Sequence, residues 1–310
     1  MTTLFAALIF IFACATPSGA AEFNLGRVNA AAIVRATLPP APGPGIPSRA
    51  SSRREDKYFN AYVLKAIDQL YSKYGLLGYG VNADFTHDLP YHTSEVIRAL
   101  AAPRTMCVAS QLEIILTAYE IYARETGDYS VYAYLPKRSY AGLSAADLKG
   151  HIWVNPRFKS YGTTDALINF GMGERRSFKE LEPGDFLNLN RNNGTGHAVT
   201  FVGYIDGSGG VLPGYGPEVV GFKYFSAQGG AAPGKGGLDY RYAVFSQFGC
   251  PKMPYKRDCG IIYSADQKML NTGRMLAPAY WTGTRPALSG KAFGETALDA
   301  DFFGGITTDD

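Results

Sequence analysis

The chain has 310 residues, of which 46% are hydrophobic and 18% are charged, and its formal net charge is +3. This length allows one large domain or two small ones, and the hydrophobic share excludes wholesale disorder. The net charge is too weak a bias to indicate nucleic acid as the main partner, and none is expected. Plentiful glycine (36), proline (18) and tyrosine (21) favour a loop-rich α/β protein outside the cytoplasm over a helical bundle.

The N-terminus has the composition of a targeting segment. Residues 4–15 are almost all apolar and small residues follow, which is typical of a signal peptide over 1–21 that is cleaved near Ala20 or Ala21. The alternatives are a lipid anchor at Cys14 and an ordinary core segment. No later apolar run reaches the ~20 residues of a membrane helix. The mature chain is therefore expected to be exported, periplasmic or extracellular, without a stable membrane span.

Three regions follow the signal peptide. Prolines are frequent at positions 39–47, which predicts a proline-rich linker over 22–55. The region 56–281 carries the helical and strand patterns and is expected to form the folded domain. The small and polar residues of 282–310 predict a loosely ordered tail.

Apolar residues at helical spacing predict helices in the first part of the domain. The clearest covers 106–126, with Thr105 as its N-cap, Cys107 in its first turn and Gly127 at its end. The other predicted helices cover 57–74, which ends at Gly75, and 93–101, 144–149 and 163–171.

From residue 185 onward, segments rich in Val, Ile, Phe and Tyr alternate with Gly, Asn and Asp, which predicts strands. These strands cover 186–189, 197–205, 219–228, 240–248 and 260–263. Helices followed by strands are typical of an α+β domain, so we expect N-terminal helices packed on an antiparallel sheet.

Three cysteines would remain after the signal peptide is removed, an odd number for an exported protein. Cys250 and Cys259 flank a short polar loop, and they are predicted to form a disulfide in an oxidising compartment. Two reduced thiols are the alternative. Cys107 is then the thiol left over.

Cys107 and His197 are the candidate nucleophile and base. The N–H groups at a helix start favour a thiolate, although a buried and inert cysteine is common at the same position. His197 opens an apolar strand after a glycine-rich turn, which indicates a position on a rim; a structural histidine is the alternative. A zinc site is disfavoured, because no two His or Cys residues have ligand spacing near His197. No cofactor is expected.

A third group usually orients such an imidazole. The strand that ends in Ser226 and Gln228 carries both side chains on one face and can lie beside the strand of His197. Gln228 ranks slightly above Ser226, because an amide oxygen orients an imidazole N–H without competing as a nucleophile. Ordinary strand-end turn chemistry is the alternative explanation for both residues.

The order of these motifs resembles the papain-like cysteine hydrolases. The chain has a cysteine at a helix start, then Glu-Pro-Gly-Asp-Phe at 182–186, then Gly-His-Ala-Val-Thr-Phe-Val-Gly-Tyr at 196–204. It is most similar to the bacterial NlpC-type peptidoglycan peptidases and the cysteine–histidine-dependent amidohydrolases (CHAP). The resemblance implies a papain-like α+β fold, with Cys107 as nucleophile, His197 as base and Asp185 as a structural residue of the turn.

The expected function is amide hydrolysis by an exported enzyme. A Cys107 thiolate with His197 as base would cleave the peptide stems or cross-links of peptidoglycan, or another amide substrate. One alternative is a transglutaminase-like acyl transferase, in which an amine resolves the same acyl-enzyme. Another is a non-catalytic cell-wall-binding module, in which the many tyrosines and the glycine-rich segment 206–237 line a groove.

Overall fold

The computed structural model describes residues 57–133, 154–155, 160–262, 270–282 and 308–309. The predicted signal peptide, the linker over 22–55, the helix at 144–149 and most of the tail lie outside the described residues. Within the described part of the chain, no helix has the length and hydrophobicity needed to cross a membrane.

The described part of the chain contains three α-helices and a larger number of strands. The helices are α1 (Asn60–Tyr74), α2 (Cys107–Thr126) and α3 (Thr163–Asn169). The strands are β1 (Tyr79–Asp84), β2 (Leu89–Tyr91), β3 (Glu95–Ile97), β4 (Val154–Asn155), β5 (Ser160–Tyr161), β6 (Gly173–Arg175), β7 (Phe186–Asn190), β8 (Thr195–Ile205), β9 (Val211–Leu212), β10 (Gly221–Gly229), β11 (Gly236–Phe245), β12 (Arg257–Ile261), β13 (Leu270–Met275) and β14 (Thr308–Asp309).

One large sheet organises the domain, with strand order β12-β11-β10-β8-β7-β13-β6. The pairs along this order are antiparallel except that β12 runs parallel to β11. The short strands β9 and β14 also pair with β8. The prediction of an α+β fold with a mostly antiparallel sheet is therefore confirmed.

The sheet curls until its edge strand β12 meets the end of β7. Arg191 and Ile261 form an antiparallel bridge, and the N–H of Asn192 donates to the carbonyl of Gly260 at 2.9 Å. The five strands β7, β8, β10, β11 and β12 thus close into a small barrel. Closure at this end separates an inner face of these strands from an outer face.

Alternation along the strands assigns each side chain to one of these two faces. Val199, Phe201 and Tyr224 belong to one apolar cluster, which fills the barrel. Ala198 and Phe225 belong to the cluster that contains α1 and α2. The two helices therefore cover the outer face of the barrel.

Helix α2 is buried on almost every side. Its start is tied to the sheet because the N–H of Thr105 donates to the carbonyl of Gly78, whose own N–H donates to the carbonyl of Gly236 at 2.8 Å. One turn into the helix, the hydroxyl of Thr200 on β8 donates to Oε1 of Gln111 at 2.7 Å. The predicted end of this helix at Gly127 is confirmed, and this glycine takes the left-handed conformation at φ 76°.

The helix predicted at 93–101 is wrong, because this segment forms the second strand of the hairpin β2–β3. Carboxylates accept hydrogen bonds from backbone N–H groups that, in a helix, would have bonded to carbonyls of the same helix. The N–H of Ala99 donates to Asp88 and that of Leu100 donates to Asp84, both at 2.9 Å. Two aspartates therefore supply acceptors that the local sequence pattern does not reveal.

The prediction that Thr105 caps α2 is also wrong. Met106 occupies the cap position and makes no side-chain capping bond. The hydroxyl of Thr105 instead donates to the carbonyl of Asp84 at the end of β1. This contact fixes the helix start against its neighbouring strand.

Asp185 holds the turn before β7, as its interpretation as a structural residue predicts. The Arg274 guanidinium donates to both oxygens of the buried carboxylate, at 2.7 and 2.8 Å. Asn60 and the N–H of Glu182 each donate a further hydrogen bond at 2.8 Å. One carboxylate thereby connects α1, the turn and β13.

Candidate active site

Cys107 is the first residue of α2 and its side chain is fully buried, at 0% exposure. Of the three cysteines in the described residues, Cys250 and Cys259 form a disulfide with a Cα–Cα distance of 5.4 Å, and Cys107 lies outside it. The predicted pairing of Cys250 with Cys259 is confirmed. The apolar side chains around the helix start enclose the sulfur of Cys107.

His197 lies near the start of β8 and is also fully buried. It pairs across the sheet with Leu189 of β7. Its ring meets the ring of Tyr224 edge to face, with 5.8 Å between the centroids. Since Tyr224 belongs to the interior of the barrel, the imidazole lies on the inner side of the wall.

Cys107 and His197 lie at the same end of the barrel. The hydrogen bonds from Thr105 to Gly78 and from Gly78 to Gly236 place the start of α2 near the start of β11, which the strand register sets beside the end of β10 and the start of β8. Cys107 approaches from the outer face and His197 from the inner face. Their direct pairing stays a prediction.

The two candidates for the third residue have different partners. The hydroxyl of Ser226 donates to the carbonyl of Ala198 at 2.7 Å, so this side chain is occupied by the backbone. Gln228 makes contacts of 3.0 and 3.1 Å with the Tyr224 hydroxyl. Continuing the register of β8 and β10 from Thr200 and Phe225 brings Gln228 opposite His197. Gln228 is therefore the better placed of the two.

Tyr224 was not singled out from the sequence, yet it connects His197 to Gln228. Burial raises the pKa of the Tyr224 phenol well above its ordinary value. The negative charge of Asp258 raises this pKa further, while the hydrogen bond to Gln228 lowers it. The phenol therefore keeps its proton and can donate or accept a hydrogen bond beside the imidazole.

Further charged groups surround this tyrosine at the end of the barrel. Arg191 donates to Asp258 at 2.5 Å and to Thr195 at 3.0 Å. Arg241 lies directly across from Tyr224 on β11. We call this set the mouth cluster, and it consists of Arg191, His197, Tyr224, Gln228, Arg241 and Asp258.

The sequence contained one signal for these charged members. Asp258 precedes Cys259, and the disulfide brings this segment back against β11. The ion pair with Arg191 then depends on closure of the barrel, which no local pattern predicts. In the described ranges, no group of three or more His, Cys, Asp or Glu side chains is arranged to hold a metal ion.

Comparisons with family models, with curated proteins and with solved structures find no match to this chain. The similarity to the papain-like hydrolases thus depends on the motifs themselves.

Proposed function

We propose that this chain is an exported thiol hydrolase that cleaves amide bonds, with Cys107 as nucleophile and His197 as base. The observation that carries the proposal is that a cysteine begins a buried helix at the end of the barrel where the histidine strand also begins. This is the order of parts that the resemblance to NlpC-type and CHAP hydrolases implies.

The chemistry follows from the position of the thiol. The first N–H groups of α2 lack helical partners and favour negative charge, first on the sulfur and then on the oxyanion. The thiolate adds to the amide carbonyl carbon while His197 holds the thiol proton. The C–N bond then breaks, and His197 gives that proton to the leaving amine. Water hydrolyses the thioester and restores the thiol.

The mouth cluster supports the role of His197 as base. The Gln228 amide fixes the Tyr224 phenol, and the phenol ring packs against the imidazole. A ring held in this way loses little entropy when it transfers a proton. We regard Tyr224 and Gln228 as positioning residues.

The substrate class follows from export together with the resemblance. A signal peptide brings the chain to the cell wall, and NlpC-type and CHAP enzymes cut wall peptides. We therefore propose the peptide stems or cross-links of peptidoglycan as the substrate.

Digestion of isolated cell walls tests this function. The purified protein is expected to release soluble muropeptides with newly formed amine and carboxylate ends, identified by mass spectrometry. Iodoacetamide added during the digestion should stop this release, because alkylation of Cys107 removes the proposed nucleophile. An unreactive thiol, with no release from walls of several peptide types, would overturn the proposal.

The full burial of Cys107 and His197 favours a second candidate, the non-catalytic wall-binding module. Such a protein would co-sediment with cell walls without releasing fragments. An acyl transferase would behave differently from both, because an added primary amine would be incorporated into the product.

The choice between Gln228 and Ser226 can be tested by separate alanine variants. Gln228→Ala is expected to lower turnover at least tenfold, about 1.4 kcal/mol in the barrier, because the Tyr224 phenol loses its amide partner. Ser226→Ala should mainly lower stability, by about 1 kcal/mol, because it loses the bond to Ala198. Turnover and thermal unfolding are measured for both. A larger turnover loss in Ser226→Ala would reverse the assignment.

A further inference from the structure

Within the described part of the chain, Arg241 differs from the paired arginines Arg191 and Arg274 in having no acidic partner. Arg191 is paired with Asp258 at 2.5 Å, and Arg274 is paired with Asp185 at 2.7 Å. None of the ion pairs between described side chains includes Arg241. Its Nε atom is buried and has no hydrogen-bond partner there.

The nearest acid along the strand is already engaged. Asp239 lies two residues before Arg241, and its carboxylate accepts the N–H of Tyr240 at 2.9 Å and lies 3.6 Å from Lys256. Burial raises the pKa of Asp239, whereas Lys256 and Arg241 lower it. The charge of Arg241 therefore acts on Asp239 through space, but the two side chains form no direct salt bridge.

The guanidinium of Arg241 extends toward the end of β10. A Cβ atom built on Gly229 would lie 3.1 Å from Nη2 of Arg241, which shows how closely the guanidinium approaches that glycine. Gly229 follows Gln228 directly and is exposed, as is Gly230. Arg241 itself is half-buried, so part of this side chain is open to solvent beside the two glycines.

The chemistry of arginine specifies the ligand. Its planar fork of N–H donors matches the two oxygens of a carboxylate, and a partly buried guanidinium without a counter-ion is costly to keep. On the barrel wall, β10 with Gln228 lies between β8 with His197 and β11 with Arg241. In the proposed mechanism His197 gives its proton to the leaving amine. A substrate group bound beside it along β8, β10 and β11 therefore belongs to the amine half of the substrate.

We propose that Arg241 is a specificity residue that binds a carboxylate on the amine half of the substrate, next to the amide bond that is cleaved. This inference rests on the proposed function, because it names the substrate class of the same site. The leaving group is then an amino acid whose carboxylate is free, at the C-terminus or in an acidic side chain.

Two synthetic stem peptides test the proposal, one ending in a free carboxylate after the cleaved bond and the other in a carboxamide. The protein is expected to cleave the carboxylate peptide with at least a tenfold higher kcat/KM, mainly through a lower KM. Arg241→Gln should remove this preference, and Arg241→Lys should restore it in part, since lysine keeps the charge without the fork. Arg98→Gln is the matched control, because Arg98 is an exposed arginine on the β2–β3 hairpin side.

A binding measurement separates failure of this inference from failure of the proposed function. The inactive Cys107→Ala protein is titrated calorimetrically with both peptides, with and without Arg241→Gln. Tighter binding of the carboxylate peptide that depends on Arg241 supports the subsite even if neither peptide is cleaved. Equal binding of the two peptides, or a preference that survives in a folded Arg241→Gln protein, would overturn it.

Discussion

Cys107→Ala is expected to abolish the release of wall peptides, with at least a thousandfold loss of turnover, about 4 kcal/mol in the barrier. Without the sulfur no thioester can form, and water has no activated route to the amide. The side chain is fully buried, so removing its sulfur also costs about 1 kcal/mol of stability from the cavity left at the helix start.

Two measurements keep these effects apart. Thermal unfolding reports the stability loss, and mass spectrometry of digested cell walls reports turnover. Val108→Ala is the matched control, because Val108 is equally buried beside the cysteine. It should lose stability and keep its activity. Wild-type release of peptides by a folded Cys107→Ala protein would assign the chemistry to another residue.

Asp185→Ala is expected to lower the free energy of unfolding by about 3–5 kcal/mol, because it leaves a buried guanidinium without its partner. Arg274 has a side-chain exposure of only 3% and donates to both carboxylate oxygens. Glu182, its other acidic contact at 2.9 Å, is half exposed and cannot replace a buried bidentate pair. Urea unfolding followed by circular dichroism measures the loss.

The control for this prediction is another aspartate in a turn. Asp206 accepts hydrogen bonds from Ser208 and the N–H of Gly210, which lower the pKa of its carboxyl. It is half-buried and these donors are uncharged, so Asp206→Ala should have a smaller effect than Asp185→Ala. Equal urea midpoints for wild type and Asp185→Ala would show that Arg274 finds another counter-charge when the pair is broken.

Local patterns predicted the regular elements well where one face of an element is apolar. Helix α2, its end at Gly127 and the strands that became β7, β8 and β10 were within a few residues of their predicted bounds. The prediction failed at 93–101, where distant carboxylates compete for the backbone N–H groups. Strands β1 and β13 were missed, because their pattern of buried positions does not alternate clearly with polar ones.

The candidate site was predictable only in part. The thiol at a helix start and the histidine at a strand start are visible in the chain, as are Ser226 and Gln228 on a neighbouring strand. Tyr224 and Arg241 were not, because a tyrosine or a charge within a strand is ordinary, and Asp258 was indicated only by its position before Cys259. Their roles arise from pairing between strands that are distant in sequence.

The sequence by itself determined the spacing of apolar residues, and hence most helices and strands, the pairing of Cys250 with Cys259 and the role of Asp185 in its turn. Only the tertiary structure decided that five strands close into a barrel, with α2 outside and the mouth cluster inside. The physical reason is that alternation defines two faces of a strand but not what covers each face. What covers each face depends on the curvature of the sheet and on the contact between β12 and the end of β7. Both involve segments that are distant in sequence.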